Sequence, residues 1–325
     1  MFNIISDFKK SNILVIGDII LDQYWHITDK KNFFEKSAPI VNVKNVENRA
    51  GGAANVAKNI SKIGGNAHLI GVIGNDTEGK IIKNLLKETN LKHNLIINYN
   101  SKTIKKIRII SKKNQLLRLD LEKKYFIEKK EEMLELISRI IKNYNVVIIS
   151  DYNKGTLVST ESIIKIAKKL SIPVIIDPKK ENISKYFGAT LLTPNFEEFQ
   201  SMVGRCENKI EIIKKGKLLI SKLKLSALLI TQSEFGMTLI ENNKNSIHFQ
   251  SLSKNANDPT GAGDTVISLI SLMLSLGKTF EIACWYANIA AGIVVEKIGT
   301  STVSIEEMLK KIKFFQDCKI TTTIK

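Results

Sequence analysis

Short runs of apolar, mostly β-branched residues alternate with helical patterns along most of the chain. Residues 13–16, 68–73, 146–149 and 173–176 are runs of this kind, with helical patterns between them. Unbroken apolar strands are typical of parallel sheets that are covered on both faces. We therefore predict an α/β fold with a parallel central sheet and helices on both faces. Two long apolar helices, at about residues 261–276 and 280–295, are predicted to pack in its core.

Two segments break this alternation, at about residues 38–46 and 102–121. Their polar and apolar residues alternate as in strands with one face in water, and no covering helix follows either segment at once. We expect these segments to form a small β lid beside the main sheet. No proline- or glycine-rich linker divides the chain, so residues 1–325 are interpreted as a single domain.

Composition argues against several classes of protein. The chain has 49 lysines and arginines against 32 aspartates and glutamates, a net charge of +17, but the basic residues are scattered. We interpret them as a solvated surface and not as a nucleic-acid site. No apolar run reaches the roughly 18 residues of a membrane span, and charged residues interrupt the N-terminus, so neither a membrane segment nor a signal peptide is expected. Three cysteines without metal-ligand spacing fit a cytoplasmic protein.

The sequence DPTGAGD, at residues 258–264, opens the first of the two long helices. Small residues let the backbone approach a ligand closely, and the amides of a first helical turn bind anions. Asp264 lies in that turn, where its carboxylate could accept a proton from a hydroxyl group beside the anion. We therefore expect phosphoryl transfer, with Asp264 as the catalytic base and an anion hole at Gly261, Ala262 and Gly263. An ordinary helix N-terminus is the alternative.

Two further groups of small and polar residues point to a sugar. Gly51 and Gly52 precede a helix, where a ligand can lie against the backbone, and Asn55 offers hydroxyl groups both a donor and an acceptor. Close packing of small residues is the alternative. Asp18 and Asp22 follow the first strand, and ligands of open α/β sheets bind beyond the carboxyl ends of strands. Two carboxylates at this place suit either sugar hydroxyls or a metal. For Asp18, a role in capping a loop is equally consistent with the sequence.

Three more predicted strands end in polar clusters, which places these clusters along one edge of the sheet. They lie at residues 150–155, 177–179 and 193–198. Asn195 and Glu198 are three positions apart at a helix start, where they could bind phosphate or hold a water molecule on Mg²⁺. A capping box between these two side chains is the alternative, and the local sequence favours it.

Together these motifs resemble the ribokinase-like (PfkB) family of sugar kinases. The resemblance extends over nearly the whole chain and rests on residues 51–64, on DPTGAGD at 258–264 and on their order. It is strongest with the kinase half of the bifunctional heptose 7-phosphate kinases/heptose 1-phosphate adenylyltransferases. The segments that carry it include GDIILDQYW at 17–25, SDYNKG at 150–155 and TLLTPNFEEF at 190–199.

This resemblance implies ATP-dependent phosphorylation of O1 of D-glycero-β-D-manno-heptose 7-phosphate to the 1,7-bisphosphate, in ADP-heptose and lipopolysaccharide core biosynthesis. It implies ATP and Mg²⁺, and a monovalent cation near Asp258. The ATP site would contain Asn195, Phe196, Glu197 and Glu198, with Glu198 reaching Mg²⁺ through water. The residues assigned to the substrate are Asp18, Asp22, Gly51, Gly52, Asn55, Arg108, Arg118, Asp151, Lys154 and Lys179.

The basic residues in this set are candidates for the 7-phosphate. Arg108 and Arg118 are ten positions apart, with a turn expected near residues 112–114. They would therefore face the same way along one strand or meet as neighbours across a hairpin. Either arrangement lets two guanidinium groups converge on one anion. Two solvated arginines in the lid are the alternative.

Two other functions stay open on the sequence. Another ribokinase-like kinase of sugars, sugar phosphates or nucleosides would carry the same motifs, and a catalytically idle basic protein could use its charge to bind nucleic acid. The complete glycine motif and Asp264 favour a kinase. We expect a homodimer that acts on small molecules. No His-x-Gly-His motif follows the kinase motifs, so an adenylyltransferase domain is not expected in this sequence, which would be either a kinase-only protein or one half of a longer chain.

Overall fold

The computed structural model describes residues 7–28, 34–35, 38–89, 91–112, 114–125, 130–157, 159–179, 182–253, 258–297 and 299–317. The strands in these ranges are β1 (Asn12–Gly17), β2 (Ile19–Ile27), β3 (Phe34–Glu35), β4 (Ala38–Pro39), β5 (Val43–Gly52), β6 (Asn66–Gly74), β7 (Lys92–Asn98), β8 (Ile104–Ser111), β9 (Asn114–Leu121), β10 (Val146–Ser150), β11 (Val174–Asp177), β12 (Leu191–Leu192), β13 (Ala227–Thr231), β14 (Met237–Glu241) and β15 (Ile247–Phe249). The α-helices are α1 (Ala53–Lys62), α2 (Thr77–Glu88), α3 (Lys130–Ile140), α4 (Thr160–Lys169), α5 (Phe196–Val203), α6 (Lys209–Leu223), α7 (Ala262–Ser275), α8 (Phe280–Val294) and α9 (Ile305–Asp317).

Nine strands form the central sheet, in the order β15-β14-β13-β12-β11-β10-β1-β6-β7. Neighbouring strands from β13 to β7 are parallel, whereas β14 and β15 join antiparallel at one edge. The predicted α/β fold is confirmed, and the antiparallel edge is an addition to it. The parallel strands consist of apolar runs because both of their faces are buried.

Helices cover both faces of this sheet, as predicted. Helices α1, α2, α7, α8 and α9 pack on the face that buries Ile13, and helices α3 to α6 pack on the face that buries Leu14. Successive side chains of β1 thus enter different layers. The two long apolar helices are confirmed as α7 and α8, in which most side chains are buried. None of the helices in the described ranges combines the length and the apolar character needed to cross a lipid bilayer.

A second sheet has four strands in the order β5-β2-β8-β9, and we refer to these strands as the lid. It includes most of the second segment that the sequence singled out as lid strands, but only residues 43–46 of the first, because residues 38–39 pair with β3 in a separate two-stranded sheet. It also includes β2, a strand that the sequence did not predict. The expectation that Asp22 lies at the carboxyl end of the first strand is wrong, because the chain passes from Gly17 through Asp18 directly into β2. Asp22 therefore lies inside a lid strand, and Asp18 alone marks the end of β1.

The cross-strand register gives the lid a polar face. Asp22 lies opposite Arg49 on β5 and Lys106 on β8. Arg108 lies opposite Arg118 on β9, so the expected pairing of these two arginines across a hairpin is confirmed. Because alternate residues of a strand share a face, all five side chains line the same face of the lid.

Candidate active site

The carboxyl ends of four neighbouring strands carry the polar clusters expected along one edge. Asp18 follows β1, Asp151 follows β10, Asp177 ends β11, and Asn195 lies shortly after β12. These strands are adjacent in the central sheet, so the common edge predicted from the sequence is confirmed. Asp264 of α7 contacts the loop that begins at Asp151, which brings the start of α7 to the same edge.

Asp264 is buried in the first turn of α7, with both carboxylate oxygens hydrogen-bonded. Asn55 Nδ2 donates to Oδ2 at 2.6 Å, and the Tyr152 hydroxyl donates to Oδ1 at 3.0 Å. Burial raises the pKa of Asp264 to about 6, although both hydrogen bonds act to lower it. A carboxylate with this pKa is ionised at neutral pH and still takes up a proton readily, as a general base must.

The start of α7 presents backbone amides beside Asp264. Gly261 has a left-handed conformation, with φ of 84°, which glycine adopts without strain. The amide of Ala262 donates to the Pro259 carbonyl at 3.1 Å, so it is already occupied. In the described part of the chain no backbone carbonyl accepts from the amides of Gly263 and Asp264, and a Cβ at Gly263 would meet nothing within 4 Å. Of the expected anion-hole amides, that of Ala262 is therefore occupied and that of Gly263 is not bonded to a backbone carbonyl of the described residues, and anion binding here stays a prediction.

Asp18 is completely buried and anchors the loop after β10. Its Oδ2 accepts from the amides of Tyr152 and Lys154 at 2.9 and 3.0 Å, and its Oδ1 accepts from the amide of Thr156 at 3.1 Å. These three bonds support the alternative interpretation, in which Asp18 caps a loop. A direct contact between Asp18 and a sugar stays a prediction. Through the loop, Asp18 positions Tyr152 beside Asp264.

Both arginines that were expected at the substrate phosphate have carboxylate partners inside the lid. Arg108 and Asp22 form a buried ion pair at 2.5 Å, with side chains only 8% and 5% exposed. Arg118 is half exposed and pairs with Asp120 at 2.9 Å. Lys106 differs, because within the described residues its ammonium has no carboxylate partner and lies 6.0 Å from the centre of the Tyr152 ring.

Gly51 and Gly52 are required where β5 passes close to two aspartates. A Cβ at Gly51 would lie 2.1 Å from Asp22 Oδ2, and one at Gly52 would lie 2.4 Å from the Asp18 carbonyl oxygen. Gly52 also has a positive φ of 59°. The close-packing interpretation is therefore supported for both glycines. Asn55 follows them in the first turn of α1, where its amide group contacts Asp264.

Two more of the predicted residues form ion pairs near the ends of the strands. Asp151 is buried and pairs with Lys185 at 2.5 Å. Lys154 pairs with Glu122 at 2.5 Å, next to the last lid strand. Their charges are thus balanced within the protein, and direct contacts with the substrate stay predictions.

Asn195 and Glu198 form the capping box that the local sequence favoured. Asn195 Oδ1 accepts from the Glu198 amide at 2.8 Å, and Glu198 Oε2 accepts from the Asn195 amide at 3.0 Å. The other oxygen of Glu198 contacts the Lys179 ammonium. Phe196 and Glu197 complete the first turn of α5. Within the described ranges, no three histidine, cysteine or carboxylate side chains come together as a metal site.

Residues 299–301 connect the start of α7 with the lid, near the expected monovalent cation. Asp258 accepts from the Gly299 amide at 2.8 Å. On the lid side, the Tyr24 hydroxyl accepts from the Thr300 amide at 2.8 Å, and Arg49 donates to the Thr300 carbonyl at 2.9 Å. The glycine-rich turn and the lid are therefore joined through one short backbone segment.

Sequence reasoning missed Tyr152, Lys106 and Tyr24 as site residues. Tyr152 was part of the SDYNKG motif, but only its charged neighbours were selected as ligands. Lys106 and Tyr24 lie in lid strands, where an alternating pattern alone does not tell which face meets the site. The strand register identifies this face, because Lys106 lies opposite Asp22 and Tyr24 lies opposite Arg108.

Comparison with known proteins agrees with this arrangement. The pfkB family of carbohydrate kinases matches residues 10–308. The chain belongs to this family. It is 50% identical over 302 residues to an uncharacterized sugar kinase of Buchnera aphidicola subsp. Schizaphis graminum, covering 93% of this chain and 96% of that protein. It is 46% identical over 321 residues to the bifunctional protein HldE of Blochmanniella floridana, covering 99% of this chain and 67% of that protein.

Solved structures of sugar kinases share the fold. Ribokinase of Arabidopsis thaliana, complexed with ribose and ATP, has a TM-score of 0.72 at 21% identity, covering 94% of this chain and 99% of that one. Phosphofructokinase-2 of Escherichia coli, in complex with potassium, has a TM-score of 0.76 at 16% identity, with the same coverage. The ribokinase-like fold is confirmed, and the family identifies the protein as a sugar kinase. The alternative of an idle nucleic-acid-binding protein loses its support.

Proposed function

We propose that the protein uses ATP to phosphorylate O1 of D-glycero-β-D-manno-heptose 7-phosphate, giving the 1,7-bisphosphate for ADP-heptose and lipopolysaccharide core synthesis. The observation that carries the proposal is the buried Asp264, held by two donors at the start of α7, in a chain 46% identical to a bifunctional HldE protein. The chain spans about two thirds of the length of the HldE relatives. Only the kinase reaction is therefore proposed for it.

In this reaction Asp264 accepts the proton of O1 while O1 attacks the γ-phosphorus of ATP and the bond to the β,γ-bridging oxygen breaks. The amides of Gly263 and Asp264 donate to the oxygens of the migrating group, where negative charge must be stabilised. Because the pKa of Asp264 is about 6, its carboxylate is ionised at neutral pH before the sugar hydroxyl arrives. Asn55 and Tyr152 use one lone pair on each oxygen, so further lone pairs stay available to O1.

The carboxylates at the ends of β11 and β12 suit Mg²⁺, which prefers oxygen ligands and several waters. Burial raises the pKa of Asp177 well above its ordinary value, and the nearby Glu198 carboxylate adds to this effect while Lys179 opposes it. Asp177 and Glu198 would hold a divalent cation bound with ATP, which would supply positive charge against the phosphates. We assign Glu198 to the water shell of Mg²⁺ and Lys179 to the phosphates of ATP. Membership of the kinase family supports the proposed use of ATP and Mg²⁺.

Lys106 is the best candidate for the phosphate of the sugar. It lies on the polar face of the lid, and burial lowers the pKa of its ammonium. The ammonium lies over the ring of Tyr152, whose hydroxyl contacts Asp264. A sugar with O1 at Asp264 can therefore extend along this tyrosine towards Lys106. Asp120, Glu122 and Asp22 already favour the charged form of the lysine without forming an ion pair with it, and an anion there would add to their effect. The two arginines differ, because each has a paired carboxylate.

The test compares ATP turnover with heptose 7-phosphate, with the unphosphorylated heptose, and with a panel of other sugars, sugar phosphates and nucleosides. We expect wild type to prefer heptose 7-phosphate, and Lys106→Ala to lose that preference by roughly 10–100-fold, the worth of a charge-assisted hydrogen bond. Lys105→Ala is the matched control, because Lys105 is the preceding lid residue and pairs with Glu78. Faster turnover of another acceptor by wild type would make the protein a different kinase of the family.

We further propose that the protein is a cytosolic homodimer that associates through the outer face of the lid. This face is opposite to the one with Arg118, and its apolar side chains are 40–51% exposed on β9. These side chains are Leu117, Leu119 and Leu121. Apolar side chains clustered on one exposed sheet face favour association. Sedimentation velocity should show a dimer that Leu119→Lys dissociates, whereas a wild-type monomer would contradict the proposal.

A further inference from the structure

Tyr152 lies between the candidate base and the lid. Its hydroxyl donates to Asp264 Oδ1 at 3.0 Å, while Asn55 occupies the other carboxylate oxygen. Its ring packs against an apolar cluster of lid and sheet residues that includes Ile104 and Tyr125. Its backbone amide is fixed by Asp18. Contacts with Asp264, with the apolar cluster and with Asp18 thus determine where this one hydroxyl points.

We propose that Tyr152 is a positioning residue for the catalytic base: its hydroxyl fixes the plane of the Asp264 carboxylate and keeps that carboxylate ionised at neutral pH. The inference rests on the proposed role of Asp264 as the base. With a donor on each oxygen, the carboxylate cannot rotate without losing a hydrogen bond. The remaining lone pairs then keep a constant direction towards the acceptor hydroxyl, which is how preorganised geometry lowers a reaction barrier.

The charge balance around Asp264 explains why a second donor matters. Burial is the largest effect on the pKa of Asp264 and raises it, and the Asp22 carboxylate raises it further. Lys179 lowers it, as do the hydrogen bonds from Asn55 and Tyr152. The Asp177 carboxylate is close enough for the two acids to repel each other. With two neighbouring acids against one lysine, hydrogen bonding carries much of the stabilisation of the ionised form.

Tyr152 is suited to donate and not to titrate. Burial raises the pKa of its phenol well above its ordinary value, and the neighbouring Asp264 carboxylate adds to this. The hydroxyl therefore keeps its proton throughout the range in which Asp264 changes charge. The ring has a separate role, because the ammonium groups of Lys179 and Lys106 lie 5.3 and 6.0 Å from its centre. Phenylalanine at position 152 would preserve both ring contacts and remove the hydroxyl alone.

The experiment measures kcat/KM against pH for wild type, Tyr152→Phe and Tyr125→Phe, with the acceptor that wild type turns over fastest. Loss of the Tyr152 hydroxyl should move the acid limb of the profile to higher pH by about 1–2 units, because the lost hydrogen bond to a charged group has a free energy that corresponds to a pKa change of that size. Tyr125→Phe is the matched control. It removes a hydroxyl from the same cluster, one that accepts from the Ile104 amide at 3.3 Å, and it should leave the profile in place.

A Tyr152→Phe profile whose acid limb coincides with that of wild type would overturn the inference, as would an equal displacement in Tyr125→Phe. Thermal unfolding of each variant separates a loss of fold from a loss of positioning. Asp264→Asn is measured in parallel. If Asp264→Asn stays active, the proposed base itself is wrong. If it is inactive and the Tyr152→Phe limb is unmoved, only the role of Tyr152 is wrong.

Discussion

Replacing Arg108 by alanine removes the partner of a buried carboxylate in the lid. Arg108 and Asp22 are 8% and 5% exposed and lie 2.5 Å apart, so the carboxylate is shielded from bulk water. Breaking a buried pair of this kind typically costs about 3–5 kcal/mol of unfolding free energy, because an uncompensated charge stays behind. Arg118→Ala is the matched control. Its side chain is 50% exposed beside Asp120, and a surface pair contributes about 1 kcal/mol or less.

Urea denaturation followed by tryptophan fluorescence measures both costs, since Trp25 lies in β2 close to Asp22 and Trp285 lies in α8. Adding Asp22→Asn to Arg108→Ala should recover part of the loss, because the unpaired charge is then gone. An Arg108→Ala variant within about 1 kcal/mol of wild type, with no recovery in the double variant, would refute the reasoning. A contact between Arg108 and the phosphate of the sugar stays a prediction.

Three other expectations concern Asp264 and Glu198. Asp264→Asn should lower turnover by about 10²–10⁴-fold with ATP binding retained, which steady-state kinetics and calorimetry would measure. The same variant should be more stable than wild type by up to about 3 kcal/mol above pH 6, because the pKa of Asp264 is raised from 3.8 to about 6 and the ionised form is penalised in the fold. This advantage should fade as the pH falls from about 6 towards 4 in thermal melts, and a constant difference would contradict it. Glu198→Gln should raise the Mg²⁺ concentration needed for half-maximal rate, whereas an unchanged titration would leave Glu198 with its capping role alone.

Local patterns predicted the central sheet and its helices well. The apolar runs became parallel strands because they are buried on both faces, and α7 and α8 could be predicted from their long apolar runs. Strand β2 could not be read in this way. A single residue, Asp18, separates it from β1, and its polar residues Asp22 and Gln23 resemble the end of a strand. Only pairing with β5 and β8 makes it a lid strand, and such pairing is not encoded locally.

The candidate site shows the same difference between features that are encoded locally and features that depend on distant parts of the chain. Asp264 and the glycine turn were identified because their chemistry lies within seven consecutive residues. The partners of charged residues were not, because Arg108 meets Asp22 from 86 positions away and Tyr152 meets Asp264 from 112. In a sequence, a basic residue suggests a phosphate ligand. In the folded chain, a carboxylate from a distant part of the sequence can neutralise its charge. Lys106 emerges as the better candidate only after the ion pairs of its neighbours are known.

The identity of the product tests the central claim most directly. Wild-type protein is incubated with MgATP and heptose 7-phosphate, and the sugar phosphates are followed by phosphorus NMR, with Asp264→Asn as the control. We expect a second sugar phosphate resonance, coupled to the anomeric proton, to appear with wild type and to be lost with Asp264→Asn. Consumption of ATP without that resonance, phosphorylation at another hydroxyl, or equal product formation by Asp264→Asn would contradict the proposed reaction.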